Sequence, residues 1–289
     1  MCDLHGDYGI KNENSSHETC EQEYIVKLPH HLHKCLPTDW NIIDSYNDDF
    51  DLSVKHMNRQ DSIGISLEGP EISRSGILTW LCVSTSSCTF LFDILTLGKE
   101  AFRRGLKSIL ENSRIQKIFH DCRLVSDCLY HQYEVRLNNV FDTQAADSLV
   151  MMQQNKDSKF IKKVNSLNEC LNYYLEITDN YLCRSLLFDV DEQSIHYHGR
   201  RPLHHEFQES MIRNVIYLRL LKREVECALL TPLRRVTDQY LNCVLSASDQ
   251  ELVLCPSILE ELPQEVLIDG IEVVNYVEPE VSLFGSWDS

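Results

Sequence analysis

The chain has 289 residues, 43% of them hydrophobic and 25% charged, the composition of an ordinary globular protein rather than a fibrous or wholly disordered one. A formal net charge of −17 argues against a generic binder of polyanions, and no apolar run reaches the roughly 20 residues that a membrane-spanning helix requires. The acidity sits at the ends: residues 1–61 hold 12 acidic and 5 basic side chains and residues 231–289 hold 11 and 2, against 21 and 20 in the middle.

Taken in order, residues 1–23 are polar and rich in Asn, Ser and Glu, which reads as neither a secretory signal nor a transit peptide. With the stretch from Tyr24 to Cys35 they form an expected loosely ordered acidic segment, 1–35. HHLHKC (His30, His31, His33, Cys35) is a tight His/Cys cluster without a second pair at zinc-finger spacing. The 12 cysteines are scattered with no CxxC pair, as expected of buried free thiols in a cytosolic protein. No metal, cofactor or membrane contact is expected.

A folded domain is expected over residues 36–230. Phe50, Leu52, Val54 and Met57 suit one or two helical turns, and then SIGISLEG, GILTWLCVS and CTFLFDI read as three buried strands. KEAFRRGLKSILENS has Phe102, Leu106, Ile109 and Leu110 at helical spacing, with Arg103, Arg104 and Lys107 off that stripe. A strand (IQKIFH), a helix (DCRLVSDCLYHQY), a strand (NVFDTQ) and a helix (AADSLVMMQQN) follow. The order predicts an α/β fold with a mixed sheet, an antiparallel edge hairpin and flanking helices.

Beyond residue 154 the basic residues gather. Lys156, Lys159, Lys162 and Lys163 lie in an expected loop, and Arg200 and Arg201 lie in HYHGRRPLHH; these six are the candidate phosphate contacts, with a solvated surface as the competing reading. SLNECLNYYLEI reads as a helix, and one long helix is expected from Glu206 to Leu229. Residues 231–289 alternate short apolar runs with acidic turns and read as an acidic extension with some β structure.

At SIGISLEG, IFHDCRLVSDCLYHQY, NVFDTQAADSL and RPLHHEFQESMIRNVIYL the chain resembles the DEDD-type 3′–5′ exonucleases, the RNase D-like branch of the ribonuclease H-like fold. Within that branch it resembles the exonuclease-domain-containing and egalitarian-like proteins of small-RNA and mRNA-transport pathways. The resemblance implies a site with four carboxylates around two divalent ions roughly 3.5–4 Å apart, one activating water and one stabilising the leaving oxygen. Such hard ions want oxygen ligands, for which hydroxyls and amides are poor substitutes.

Matched to the family pattern, the first motif falls on Ser66-Leu67-Glu68, so Ser66 and Glu68 share one face of a strand but only one is acidic. The second falls on Val125, five residues after His120. Asp127 is turned away from it by about 200° of helix, and Asp121 stands at the strand–helix junction as the less easily excluded substitute. The third, Tyr-x-x-x-Asp in the family, falls on Ser210 and Asn214. Of five expected groups only Glu68 survives, which predicts a catalytically inactive protein.

The resemblance implies a pseudo-nuclease that serves as an RNA-binding adaptor or scaffold in small-RNA (piRNA) biogenesis. The implied partners are single-stranded RNA, a second copy of the chain and a Tudor-domain or other RNA-granule protein, with no DNA. The implied place is the cytoplasm, including perinuclear RNA granules. Two alternatives stand beside it: an active metal-dependent 3′–5′ exoribonuclease with a rearranged site, and a pure protein-interaction scaffold.

Overall fold

Among the described residues six strands form one mixed sheet: β1 (Asp39–Ile43), β2 (Ser62–Glu68), β3 (Trp80–Ser84), β4 (Cys88–Asp93), β5 (Gln116–Phe119) and β6 (Val140–Asp142), ordered β1-β4-β3-β2-β5-β6. The computed structural model describes residue 32 and residues 36–154, 163–177, 198–245 and 248–250. Strands β2, β3 and β4 run antiparallel, while β5 and β6 extend the sheet in parallel beyond β2. β3 is buried along its whole length, which explains why its sequence is a continuous apolar run rather than an alternating one. The expected α/β mixed sheet is present, and β1 adds a parallel strand outside the hairpin at β4. WNIID had given no periodic signal for that strand, being too short to show one.

Side chains alternate across the sheet and build two cores. On one face Ile63, Ile65, Leu81, Val83 and Phe92 pack under α1 (Asp48–Met57) and α3 (Lys107–Glu111). On the other, Trp80, Cys82, Leu91 and Ile118 pack under four helices: α5 (Thr143–Gln154), α6 (Leu167–Leu175), α7 (His205–Ile216) and α8 (Leu218–Leu229). Leu32 and Leu36 join this second core. A short helix, α2 (Ile94–Leu97), follows β4, and α4 (Arg123–Tyr133) links β5 to β6.

Helix α1 starts where Asn47 accepts hydrogen bonds from the backbone N–H groups of Asp49 and Phe50, with Asp48, Asp49 and Asp51 at its positive end. The segment expected as one amphipathic helix over 99–113 is helical over residues 100–111, but Phe102–Leu106 winds as a π-type turn that leads into α3. Gly105 takes φ 155° there, and a Cβ on it would stand 2.7 Å from Cγ1 of Val54, so the glycine lets α1 lie close. The basic stripe is answered locally: Arg103 and Arg104 face Glu100, and Arg104 also stacks over Tyr46.

The long helix expected over 206–229 is two, α7 and α8, divided at the fully buried Tyr217. The β structure expected after residue 230 is not what the described part shows. Thr231–Leu245 is a helix, α9, because Leu233, Val236, Tyr240 and Leu241 recur every three to four residues. The remainder of the extension past Gln250, the HHLHKC histidines and Cys35 lie outside the described residues.

Candidate active site

Strand β2 carries the site because its alternate residues Gly64, Ser66 and Glu68 point to the helical side of the sheet. Glu68 is in register with Trp80 on β3, and Trp80 with Asp93 on β4, so the three form one row across that face. Ser66 stands opposite Cys82 in the next row. Gly64 sets the distance of the helical layer: a Cβ there would lie 2.9 Å from the Val215 carbonyl and 3.2 Å from Cβ of Leu218. With nothing larger at position 64, the end of α7 settles on β2 and brings Asn214 against Glu68.

Asn214 donates its side-chain N–H to Glu68 Oε1 at 3.0 Å, and the Ser66 hydroxyl donates to the same oxygen at 3.3 Å. Burial pushes the Glu68 carboxyl up to about 7, against the opposing pull of these two donors. Cys82, buried and close to Glu68, has its thiol pushed well above the usual range. Three of the expected motif positions thus meet as one small network of a carboxyl, a hydroxyl and an amide. Ser210 sits half-buried one turn before Asn214 on α7.

The second motif is not part of this network as a donor. Val125, in the first half of α4, packs its side chain against the core on the α1 side. Asp127 is turned toward the loop between β2 and β3, where Arg74 grips it through Nη2 at 2.6 Å and Nε at 3.0 Å and through its backbone N–H at 2.7 Å. Asp121 takes a left-handed φ of 64° at the junction, and its carboxylate is forked by Arg123 at 2.7 Å from both Nε and Nη2. Each arginine holds its aspartate below the ordinary carboxylate range. Both substitutes weighed from the sequence are therefore committed to guanidinium groups.

A pair of magnesium-like ions would need several carboxylate oxygens converging on one point. Here one carboxyl is present, its neighbours are a hydroxyl and an amide, and burial favours its neutral form. Among the described residues no group of three or more His, Cys, Asp and Glu side chains stands close enough to hold a metal ion. The residues present do not fit a two-metal centre.

Asp142, Asp147 and His120 are polar anchors that sequence reasoning did not single out. Asp142 ends β6 and accepts from the backbone N–H groups of Asp121 (3.1 Å), Cys122 (2.8 Å) and Gln144 (2.9 Å), tying the β5–α4 turn to the start of α5. Asp147, 2% exposed, accepts from Tyr174 Oη at 2.8 Å and Asn165 Nδ2 at 3.0 Å. His120 lies between Thr143 Oγ1 (2.9 Å) and the Asn165 carbonyl (3.2 Å), and burial lowers its pKa. The FDT sequence at the end of β6 was the available signal, since an aspartate before a helix is a capping residue.

The candidate phosphate contacts fare unevenly. Lys156, Lys159 and Lys162 lie outside the described residues; Lys163 and Arg200 are exposed. Arg201 is not a free surface cation. It binds Asp93 through Nε at 2.5 Å and Nη2 at 2.6 Å, donates to the His198 and Arg200 carbonyls, and stacks 4.3 Å from the Trp80 ring. Four of its five N–H donors are thereby engaged within the chain, which recasts Arg201 as a structural clamp.

The family model described as 3′–5′ exonuclease matches residues 45–192. The chain is 34% identical over 235 residues to the mouse piRNA biogenesis protein EXD1, covering 79% of this chain and 40% of that protein. To the silkworm (Bombyx mori) EXD1 it is 33% identical, covering 77% and 68%. The Caenorhabditis elegans Egalitarian protein homolog is 26% identical over 71% of the chain. The chain spans less than half the length of the mouse and human relatives, at 40% and 44%. Among solved structures, Trypanosoma brucei RNase D is similar with a TM-score of 0.54 at 20% identity, covering 72% of this chain and 73% of that one. Its complex with RNA U12 gives 0.55 at 21%, covering 72% and 71%. These likenesses show a shared RNase D-type, ribonuclease H-like fold. The chain belongs to the 3′–5′ exonuclease family, on the branch that includes the EXD1 proteins.

Proposed function

We propose that this chain is a catalytically silent 3′–5′ exonuclease domain that acts as an RNA-binding adaptor in piRNA biogenesis. The observation that carries the silence is the engagement of Glu68 by Asn214 and Ser66, with Asp121 and Asp127 each held by an arginine. Without several convergent carboxylates neither the attacking water nor the leaving oxygen gains the charge stabilisation that phosphodiester cleavage requires. The names of the EXD1 relatives support the pathway, and an RNase D of like fold in complex with RNA U12 supports RNA as the ligand. A second copy of the chain and a Tudor-domain granule protein complete the proposed assembly, in the cytoplasm.

Two measurements on the full chain test this. A 3′-labelled single-stranded RNA is incubated at high protein concentration with Mg²⁺ or Mn²⁺, and no shortening is expected. Trimming that disappears in Glu68→Ala would establish the active alternative. RNA binding followed by anisotropy is expected to weaken steeply with salt, by a log–log slope of about 0.7 for each phosphate neutralised. Absence of binding at low salt would leave the protein-scaffold alternative.

A further inference from the structure

An open groove of about 420 Å³ lies between α1, the edge strand β1 and its neighbour β4. Its floor is Ile43 and Phe90, both part of the core on the α1 side, so it opens on the opposite face of the sheet from Glu68 and Trp80. The described approach to β1 leaves it uncovered, because Leu32 and Leu36 pack into the other core. Its volume falls within the range of small-molecule sites, about 300–1,000 Å³.

The groove is chemically polarised along α1. At one end Asp49 offers a carboxylate, while Asn41, in register with Phe90 and donating to Cys88 Sγ at 3.2 Å, stands toward the other. Leu52, 59% exposed, faces Ile43 and Phe90 across the middle. At the other end stand Lys55 and Arg59, one turn apart and exposed. Neither forms an ion pair among the described residues. His56 is held beside them by Thr85 Oγ1 at 3.0 Å and by the edge of the Phe90 ring, 5.5 Å between centroids. Asp49 and Lys55 are separated by about 9 Å of helix rise.

We propose that this groove binds a nucleoside monophosphate, either as the free nucleotide or as the phosphorylated end of an RNA. The base lies against Ile43, Leu52 and Phe90, an exocyclic amine donates to Asp49, and the phosphate is taken by Lys55 and Arg59. A dianionic phosphate answers two neighbouring cations that no carboxylate among the described residues pairs with, and an aromatic base answers an apolar floor that carries an aromatic ring. The site stands apart from the degenerate cleft and does not depend on the adaptor reading.

The test is calorimetric titration of adenosine 5′-monophosphate into the full chain, alongside adenosine, the Lys55→Glu/Arg59→Glu double variant and Asn214→Ala. Saturable nucleotide binding is expected, weakened about tenfold or more by the double charge reversal and by removal of the phosphate, and unchanged in Asn214→Ala. Both reversed residues are exposed, so the variant should melt as the parent does. Absence of nucleotide binding, or equal binding by the double variant, overturns the proposal. So does loss of binding in Asn214→Ala with retention in the double variant, which would return the ligand to the cleft. Competition separates the two sources: a 5′-phosphorylated RNA that displaces the nucleotide, where its unphosphorylated twin does not, assigns the site to an RNA end. Failure of both RNAs to displace it assigns the site to the free nucleotide. Absence of RNA binding by the parent chain with nucleotide binding intact would strike the adaptor reading alone.

Discussion

Asn214 donates to Glu68 across 146 residues of sequence, at 3.0 Å, from the third motif of a 3′–5′ exonuclease fold to the first. In an active relative both positions would be carboxylates held together by metal charge. Here an amide replaces one of them, and the contact persists as a hydrogen bond that needs no ion. The cleft has become a joint between α7 and β2.

That joint should titrate. Glu68 binds its proton up to about 7 when folded and up to its ordinary value of 4.5 when unfolded. Between these values the folded state holds more protons, so stability is fully present below 4.5 and is lost as pH rises through about 7. The loss is at most about 3 kcal/mol. Glu68→Gln, an uncharged near-isostere, should remove this decline. Urea denaturation of both proteins at pH 5, 6, 7 and 8 measures it, and parallel pH profiles would contradict the burial of the carboxyl.

Restoring one carboxylate should not restore a nuclease. Asn214→Asp would set two carboxyls against each other with Val125 and Ser66 still non-ligating, raising their pKa values further. We expect a loss of about 1–3 kcal/mol at pH 8, little at pH 5, and no trimming of labelled RNA with Mg²⁺. A rise in melting temperature on adding Mn²⁺ to this variant would show that more ligands converge than the geometry allows.

Arg201 separates a structural role from an RNA contact. Its partner Asp93 is 1% exposed, so Arg201→Ala strands a buried carboxylate, at a cost of about 2–4 kcal/mol after allowing for the partial exposure of the arginine. Arg201→Lys keeps the charge but loses the fork and the stacking on Trp80, and should recover only part of the stability. RNA affinity of the folded variants, by anisotropy, is expected to match the parent. A folded Arg201→Ala with weakened RNA binding would return this residue to the phosphate contacts.

Gly64→Ala tests the spacing that makes the site. The added methyl meets the Val215 carbonyl and Leu218, which must move outward by a few tenths of an ångström. We expect a cost of about 1–3 kcal/mol and a weakened Glu68–Asn214 contact, read as a pH dependence of stability that shifts toward higher pH, since that donor holds the Glu68 pKa down. An alanine variant as stable as the parent would mean that α7 and α8 do not bear on β2 this closely.

The residue types at the motif positions were legible without any coordinates, because identity is written in the chain: Ser66, Val125, Ser210 and Asn214 are not carboxylates wherever they lie. Short apolar runs and helical spacing likewise disclosed β2 to β6 and most helices, since those patterns arise within a few residues. The π-type turn at Gly105 and the break at Tyr217 escaped, being imposed by Val54 packing on one and burial of the ring in the other. What the fold alone decided was the partner of each charge. Asp127 goes to Arg74, 53 residues away, and Asp93 to Arg201, 108 away. Local periodicity gives a side chain its face, but only the layering of helices on the sheet brings distant segments within hydrogen-bond reach, and that reach engaged Arg201 with Asp93 and set Glu68 against Asn214.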